Sequence, residues 1–536
     1  MNQIVNKLFK YEKILFFLVI LLNLIPVFNH RFFPTLDGPA HLYNANLINH
    51  MLFHPDFDAF FQFNAEPIPN WTGHILLCFF KGFLPGFLAE KMLVVLYFIG
   101  LPYAFRNLVK SANGAYPLAS YLIFPFTYNY LFVLGFYNFS FGIIGLFLVL
   151  AFWIRNHETI STSVKKIILL SFLLILIYFS HVLMFGIALL ALACYTFITF
   201  LKQYTESGAF KEALIAHLRK AVVLLISSLI PFVLMFLYFA NRPSSETPVF
   251  LSTSELFSWL GYMNPLICFS VGVEKISTII THIALLGLVT AGIISRIRSR
   301  RSMNSTGKKE PFFRINDVWL LMCGVMLLLL FIMPDKNGMA SLISMRFALL
   351  SFLFLVLWIS TMKQAKILTA VCLLLILVFH VKRVRHIDSA IDGHNAVAVD
   401  CQETAKFIEP NSIVAPVNLT DHWVRGHFSN YLGIDKPLII LENYEATTDY
   451  FPLIWNKENI PDLQVGGKSV LSNSLFSSIP TNTANEKREI DYIFVLGDWD
   501  SSNTEQLKNL QLISLHFVPV HKNTNCTLYR RKITGS

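Results

Sequence analysis

Residues 34–74 read PTLDGPAHLYNANLINHMLFHPDFDAFFQFNAEPIPNWTGH, and they follow the apolar run 14–33 without a break. A membrane-spanning helix needs about 20 mostly apolar residues. Run 14–33 is therefore read as a first membrane helix, and Asp37 falls at the membrane–water boundary just beyond it. Lys7, Lys10 and Lys13 precede the run and no small-x-small cleavage site follows, so it is read as a retained helix and not a signal peptide. From His41 onward, Leu42, Ala45, Ile48 and Leu52 recur on one helical face. A helix lying flat on the membrane would place Asp37 just ahead of its N-terminus, where the helix dipole stabilises a carboxylate.

The rest of the chain supports a membrane setting. It is 54% hydrophobic and only 14% charged, where a soluble domain carries about a quarter charged residues. Further spans are expected at 89–105, 116–134, 136–154, 164–183, 185–201, 221–240, 276–295, 317–333, 343–360 and 367–381. With the first run this makes an α-helical polytopic membrane protein of about eleven transmembrane helices.

Lysine and arginine orient it. Lys7/Lys10/Lys13, Arg106/Lys110, Arg155/Lys165/Lys166, Lys202/Lys211/Arg219/Lys220, Arg296 through Arg314, and Lys363/Lys366 occupy alternate loops. Those loops are expected to be cytoplasmic, and so is the N-terminus. The intervening loops hold Asp37, Asp56, Asp58, Glu66, Glu246, Glu255, Glu274 and Asp335 and are expected outside. Segment 71–87 is apolar enough to span, but a crossing there would invert every later loop. It is read as a juxtamembrane or re-entrant helix, which Lys81 and Pro85 also favour.

The net charge of +10 is accounted for by these orienting clusters, and no basic-aromatic module for nucleic acid is present. Of seven cysteines, five lie in or near apolar runs; Cys401 and Cys526 fall in the tail. In an oxidising compartment those two could bridge, or they could be two buried thiols.

Beyond 381 the composition changes. The division is a transmembrane domain over 1–381, with an outer loop 34–88, and an extracytoplasmic domain over 382–536. Strand-like runs stand at 396–400, 412–417, 438–441, 492–496, 512–518 and 527–531, with helical stretches at 401–408 and 503–510. Strands alternating with helices argue for a small α/β domain.

An Asp just beyond the first helix, a His four residues on, and a surface-lying helix resemble the first external loop of the GT-C superfamily. Those membrane glycosyltransferases use polyprenyl-phosphate sugars or polyprenyl-diphosphate oligosaccharides. The P-N-W-x-x-H-I-L-L segment (69–77) is similar to the juxtamembrane helix that follows in many of them. Arg346, in S-M-R-F-A-L-L-S-F, is similar to the family's Arg-aromatic start of a late helix, and an external C-terminal α/β domain is common there. The resemblance implies Asp37 as general base and Arg346 as a ligand of the carrier phosphate. One position departs: many relatives carry a second acid directly after the first, and here Gly38 stands there. Asp56, Asp58 and Glu66 are the candidates for that second role.

The chemistry explains the residue types. The donor's lipid tail stays in the bilayer, so its phosphate sits at the interface. A carboxylate must take the acceptor's proton, worth about 10²–10⁴-fold in rate, and cations must hold the leaving phosphate. Arginine's fork matches phosphate oxygens. Polar residues at expected outer helix ends are Arg31, Asp37, Asn138, His181, Arg242 and Arg346. Each has a plainer reading: Asp37 as a helix cap, His41 as an interfacial side chain, Asp56 and Asp58 as turn residues, Arg31, Arg242 and Arg346 as snorkelling cations, His181 and Asn138 as packing residues. His41, His50, His54 and His74 make a divalent metal with Asp37 or Asp56 conceivable, although none is required.

The expected activity is sugar transfer from a polyprenyl-phosphate carrier to a lipid, glycan or protein acceptor on the outer face. In a bacterial inner membrane that face is periplasmic. The alternatives are a transporter or flippase of lipid-linked saccharide, and a non-catalytic membrane assembly protein.

Overall fold

The structure is a computed structural model that describes residues 11–113, 117–240, 242, 247–301, 314–338, 340–362, 365–456, 465–467 and 489–532. The chain divides into two compact units. One comprises Met1–Ile25, Tyr97–Phe132 and Asn138–Ile387; the other comprises Pro26–Leu96, Val133–Tyr137 and Asp388–Ser536.

Among the described residues nine helices are long and apolar enough to cross a membrane, and the chain is an integral membrane protein. Their burial separates two kinds. Ile343–Thr361 is 83% buried and sits inside the bundle, whereas Phe210–Ala240 has a mean hydropathy of 2.6 with only 22% buried. A helix that apolar and that uncovered is one that faces lipid.

Two expected spans differ. The 164–183 span is a 17-residue helix, Val164–Ser180. It stops because His181 is extended and caps the next helix, its Nδ1 accepting from Leu183 N at 3.2 Å. The 116–134 span is not one helix. It is a 3-10 stretch, Pro117–Phe126, followed by the single turn Tyr130–Val133. Pro125 lies inside it, and proline removes a backbone donor and clashes with the preceding turn.

Broken backbone at membrane depth survives only where protein satisfies it, and Arg383 does so here. Its guanidinium donates to Pro125 O (2.7 Å), Tyr128 O (2.5 Å) and Leu266 O. Glu274 neutralises it at 3.3 Å and also accepts from the backbone N–H groups of Cys268, Phe269 and Ser270. Glu274 was expected in an outer loop; it is instead buried in the first turn of the Val271–Arg301 helix.

In the second unit, segment 71–87 forms the helix Thr72–Lys81. Ten residues reach about 15 Å, half the hydrocarbon thickness of about 30 Å, so this helix is too short to span by itself. The strands are β1 Phe61–Phe63, β2 Ile413–Asn418, β3 Ile439–Ile440, β4 Leu453–Trp455, β5 Tyr492–Leu496, β6 Phe517–Lys522 and β7 Cys526–Arg531. Five form a sheet in the order β3-β2-β5-β7-β6. The β3–β2 and β2–β5 pairs are parallel, and the β5–β7 and β7–β6 pairs antiparallel. Every residue of β5 is buried, as a central strand covered on both faces requires.

The expected strand at 396–400 is helical instead, part of Lys366–Thr404. Read over a longer window, Ile391, His394, Ala398 and Cys401 recur at helical spacing, and all are buried. Run 512–518 is mostly the end of a helix, Thr504–His516, whose Asn503 side chain accepts from Glu505 N and Gln506 N.

Loop 34–88 belongs to the same unit as the sheet. Strand β1 pairs antiparallel with β4, and Phe61 stacks on Trp455 at 4.3 Å. From the helix Gly38–Met51, Tyr43 Oη donates to Leu438 O at 2.6 Å and accepts from Ile440 N at 3.1 Å. Asn44 and Asn443 exchange amide hydrogen bonds at 2.9 and 2.8 Å.

Candidate functional site

Asp37 is held from both sides of the chain. Leu36 N donates to Val133 O and Asp37 N to Leu134 O, each at 3.1 Å. The next residue, Gly135, has φ +87°, a conformation that only glycine adopts freely. The 133–137 segment can therefore turn directly against Asp37. Position 38 is equally tight: a β-carbon there would lie 2.4 Å from Thr35 Oγ1 and 2.6 Å from Tyr137 Oη. A side chain at 38 would therefore require Thr35 or Tyr137 to move.

Asp37 occupies the N-cap position of Gly38–Met51, but its side chain makes no capping hydrogen bond. Its Oδ1 faces His427 Nε2 at 3.7 Å instead. The opposite ring nitrogen of His427, Nδ1, pairs with Glu442. Glu442 is fully buried two residues beyond β3, and its other oxygen accepts from Ser429 Oγ (2.6 Å) and Asn430 Nδ2. Tyr444 stacks on the His427 ring at 4.3 Å. Glu442 thus fixes the ring's orientation and points Nε2 at the aspartate.

A second cluster begins one helical turn on. His41 Nε2 lies 3.0 Å from Gly135 O, and its Nδ1 lies 2.5 Å from Glu445 Oε1. His74, on the helix Thr72–Lys81, puts Nε2 2.8 Å from Glu445 Oε2. All three side chains are buried.

Burial pushes the Asp37 carboxyl above its ordinary value; the neighbouring His427 and His41 charges pull against that shift, and Glu445 adds to it. For His41, burial opposes protonation, but the Glu445 carboxylate outweighs it and the histidine is raised. Burial likewise opposes ionisation of Glu445, yet His41 and His74 prevail and hold it at about 2. Burial thus raises the basicity of the Asp37 carboxyl.

The other expected residues divide as follows. In the helical unit, Arg346 lies in the first turn of Ile343–Thr361, its Nη1 3.4 Å from His181 Nε2 and its guanidinium 5.8 Å from the Phe139 ring centre. Asn138 is buried beside them in sequence and space, its carbonyl accepting from Ser180 Oγ at 2.8 Å. Arg242 lies over Tyr238 at 4.4 Å. In the other unit Arg31 is exposed and lies over Phe87 at 4.8 Å. Asp58 and Glu66 are exposed, and the side chain of Asp56 lies outside the described residues. His50 and His54 stack on each other at 4.4 Å and not on His41.

Reasoning from the sequence missed His427, Glu442, Tyr444 and Glu445. They lie about four hundred positions from Asp37. The one local signal was L-E-N-Y-E (441–445), acids and a tyrosine placed directly after an apolar strand.

No family model matches the chain, and no curated protein matches its sequence. Solved structures do. ArnT from Cupriavidus metallidurans in the apo state aligns with a TM-score of 0.52 at 12% identity, over 96% of this chain and 97% of that one. The same protein bound to undecaprenyl phosphate aligns at 0.55 and 12% identity, over 97% and 98%. At that identity the likeness is one of fold: over 96–97% of its length this chain has the fold of ArnT.

Proposed function

We propose that this chain is a membrane glycosyltransferase that moves a sugar from a polyprenyl-phosphate carrier to an acceptor on the outer membrane face. The observation that carries the reading is Asp37: a carboxylate that caps nothing, has its basicity raised by burial, and faces a histidine oriented by Glu442. One of the two ArnT structures that align, over 97% of this chain, is bound to undecaprenyl phosphate.

In the reaction, Asp37 takes the proton of the acceptor hydroxyl as its oxygen attacks the anomeric carbon. The bond from that carbon to the phosphate oxygen breaks, and the carrier leaves as a phosphate. Arg346 supplies positive charge for that phosphate. His427 is a positioning residue that acts on Asp37. The Arg383–Glu274 pair, the kind of membrane-buried charge a transporter would use, has its hydrogen bonds committed to broken backbone, which favours the transferase over the transporter.

The test is turnover of the purified chain in lipid nanodiscs, supplied with total polyprenyl-linked sugars from its host. Release of free polyprenyl phosphate in step with loss of the sugar-loaded carrier is expected. Intact donor after long incubation with host acceptor extract would overturn the reading.

A further inference from the structure

The cluster of His41, His74 and Glu445 contains more donor atoms than its hydrogen bonds use. His41 Nδ1 and Glu445 Oε1 lie 2.5 Å apart, but neither makes a hydrogen bond of acceptable angle, and both are shut off from solvent. His74 Nε2 and Glu445 Oε2 do form a hydrogen bond, at 2.8 Å. One ring nitrogen from each histidine and one carboxylate oxygen lie within 4.8 Å of one another.

The surroundings match what a metal ligand set needs. The remaining nitrogen of His41 faces the Gly135 carbonyl at 3.0 Å, the backbone contact that fixes the tautomer of a ligating histidine. The ligands come from three separate pieces of chain: the helices Gly38–Met51 and Thr72–Lys81, and the turn Glu445–Thr447. A plainer reading exists, a proton-bound His–Glu–His network, and proton and metal compete for the same lone pairs.

We propose that His41, His74 and Glu445 bind one divalent transition-metal ion beside Asp37. Two imidazoles and one carboxylate are a zinc-type donor set, with nitrogen and oxygen at about 2.0–2.2 Å from the ion; magnesium and calcium prefer all-oxygen shells. Ligand atoms around such an ion stand a little over 3 Å apart, so side-chain shifts below about 1 Å would admit it. The ion would cross-link both helices of the first loop to the C-terminal domain and hold fixed the helix whose first residue follows Asp37. The site does not depend on the transferase reading, because its readout is metal content.

The full chain is purified in detergent without chelator, offered zinc, cobalt, manganese and magnesium in turn, and measured by elemental mass spectrometry. About one zinc per chain is expected for wild type, falling at least tenfold in His74→Ala and Glu445→Gln and unchanged in His50→Ala. Wild type loaded with cobalt should show visible absorption bands of a nitrogen- and oxygen-ligated ion, a measurement that needs no folded variant. Absence of metal and of those bands from wild type overturns the proposal in favour of the proton-bound network. Metal retained at full level in both variants overturns the assignment of these ligands.

Discussion

Gly135 leaves room for Asp37 and for nothing else: a β-carbon on it would lie 2.8 Å from Asp37 Cβ and 2.9 Å from the amides of Asp37 and Gly38. The same glycine has φ +87° and presents its carbonyl to His41. One residue thus sets the position of both. Gly135→Ala should therefore cost roughly 1–2 kcal/mol in backbone strain alone and displace Asp37. Expected is a protein that still inserts and purifies, melts a few degrees lower, and turns over at least about tenfold more slowly. Thermal melting and donor consumption measured on one preparation check both parts.

His427 and Glu442 should behave as one unit. Glu442→Gln keeps the shape but removes the charge that fixes the His427 ring, leaving Nε2 free to turn from Asp37. His427→Gln removes the ring itself. Each is expected to lower turnover by about 10–100-fold, and the double variant should be no worse than the poorer single one, because both act through Asp37. A double-mutant cycle on kcat measures this; additive losses would mean that the two residues act separately.

Arg346 tests the phosphate side of the account. Arg346→Lys keeps the positive charge and loses the planar fork. It should raise KM for the polyprenyl-linked donor more than it lowers kcat, while Arg346→Ala should impair both. Equal KM in wild type and both variants would remove Arg346 from carrier binding.

Cys401 and Cys526 place their sulfurs 3.7 Å apart, both buried. In an oxidising compartment a dithiol–disulfide exchange protein should close them, each thiol losing its proton and the pair giving two electrons to that protein's disulfide. Closing so long a loop is worth roughly 4–5 kcal/mol. Peptide mass mapping of protein alkylated before reduction should find the linked pair. Both thiols alkylated in protein taken directly from cells would contradict the outward orientation of the tail.

What could be read in the sequence, and what could not, follows from the range of each signal. Membrane helices announce themselves by length and apolarity alone, so most were legible. The failures were local. Pro125 broke an apolar run that hydropathy reads as continuous. The alternation of Ala and Val at 396–400 looked like a strand until the longer helical period through Ile391, His394, Ala398 and Cys401 was followed. Within the site, Asp37 and His41 were legible because they sit next to the first helix. His74 stood out only as one of several loop histidines. His427, Glu442 and Glu445 were not legible, since they reach Asp37 and His41 only after β3 and the turns around it have folded against the helix Gly38–Met51. Gly38 looked like a missing acid; in the structure a side chain there would have to displace Thr35 or Tyr137.

The central claim is that Asp37 is the base of a sugar transfer, and the most direct measurement replaces it in cells with asparagine, which keeps its size. Lipid-linked sugars and cell-surface glycans are compared by mass spectrometry among wild type, Asp37→Asn, a deletion strain and the control His50→Ala. The account predicts that Asp37→Asn, at normal expression, reproduces the deletion: the sugar-loaded carrier accumulates and an acceptor lacks one sugar, while His50→Ala matches wild type. An Asp37→Asn profile identical to wild type would contradict it.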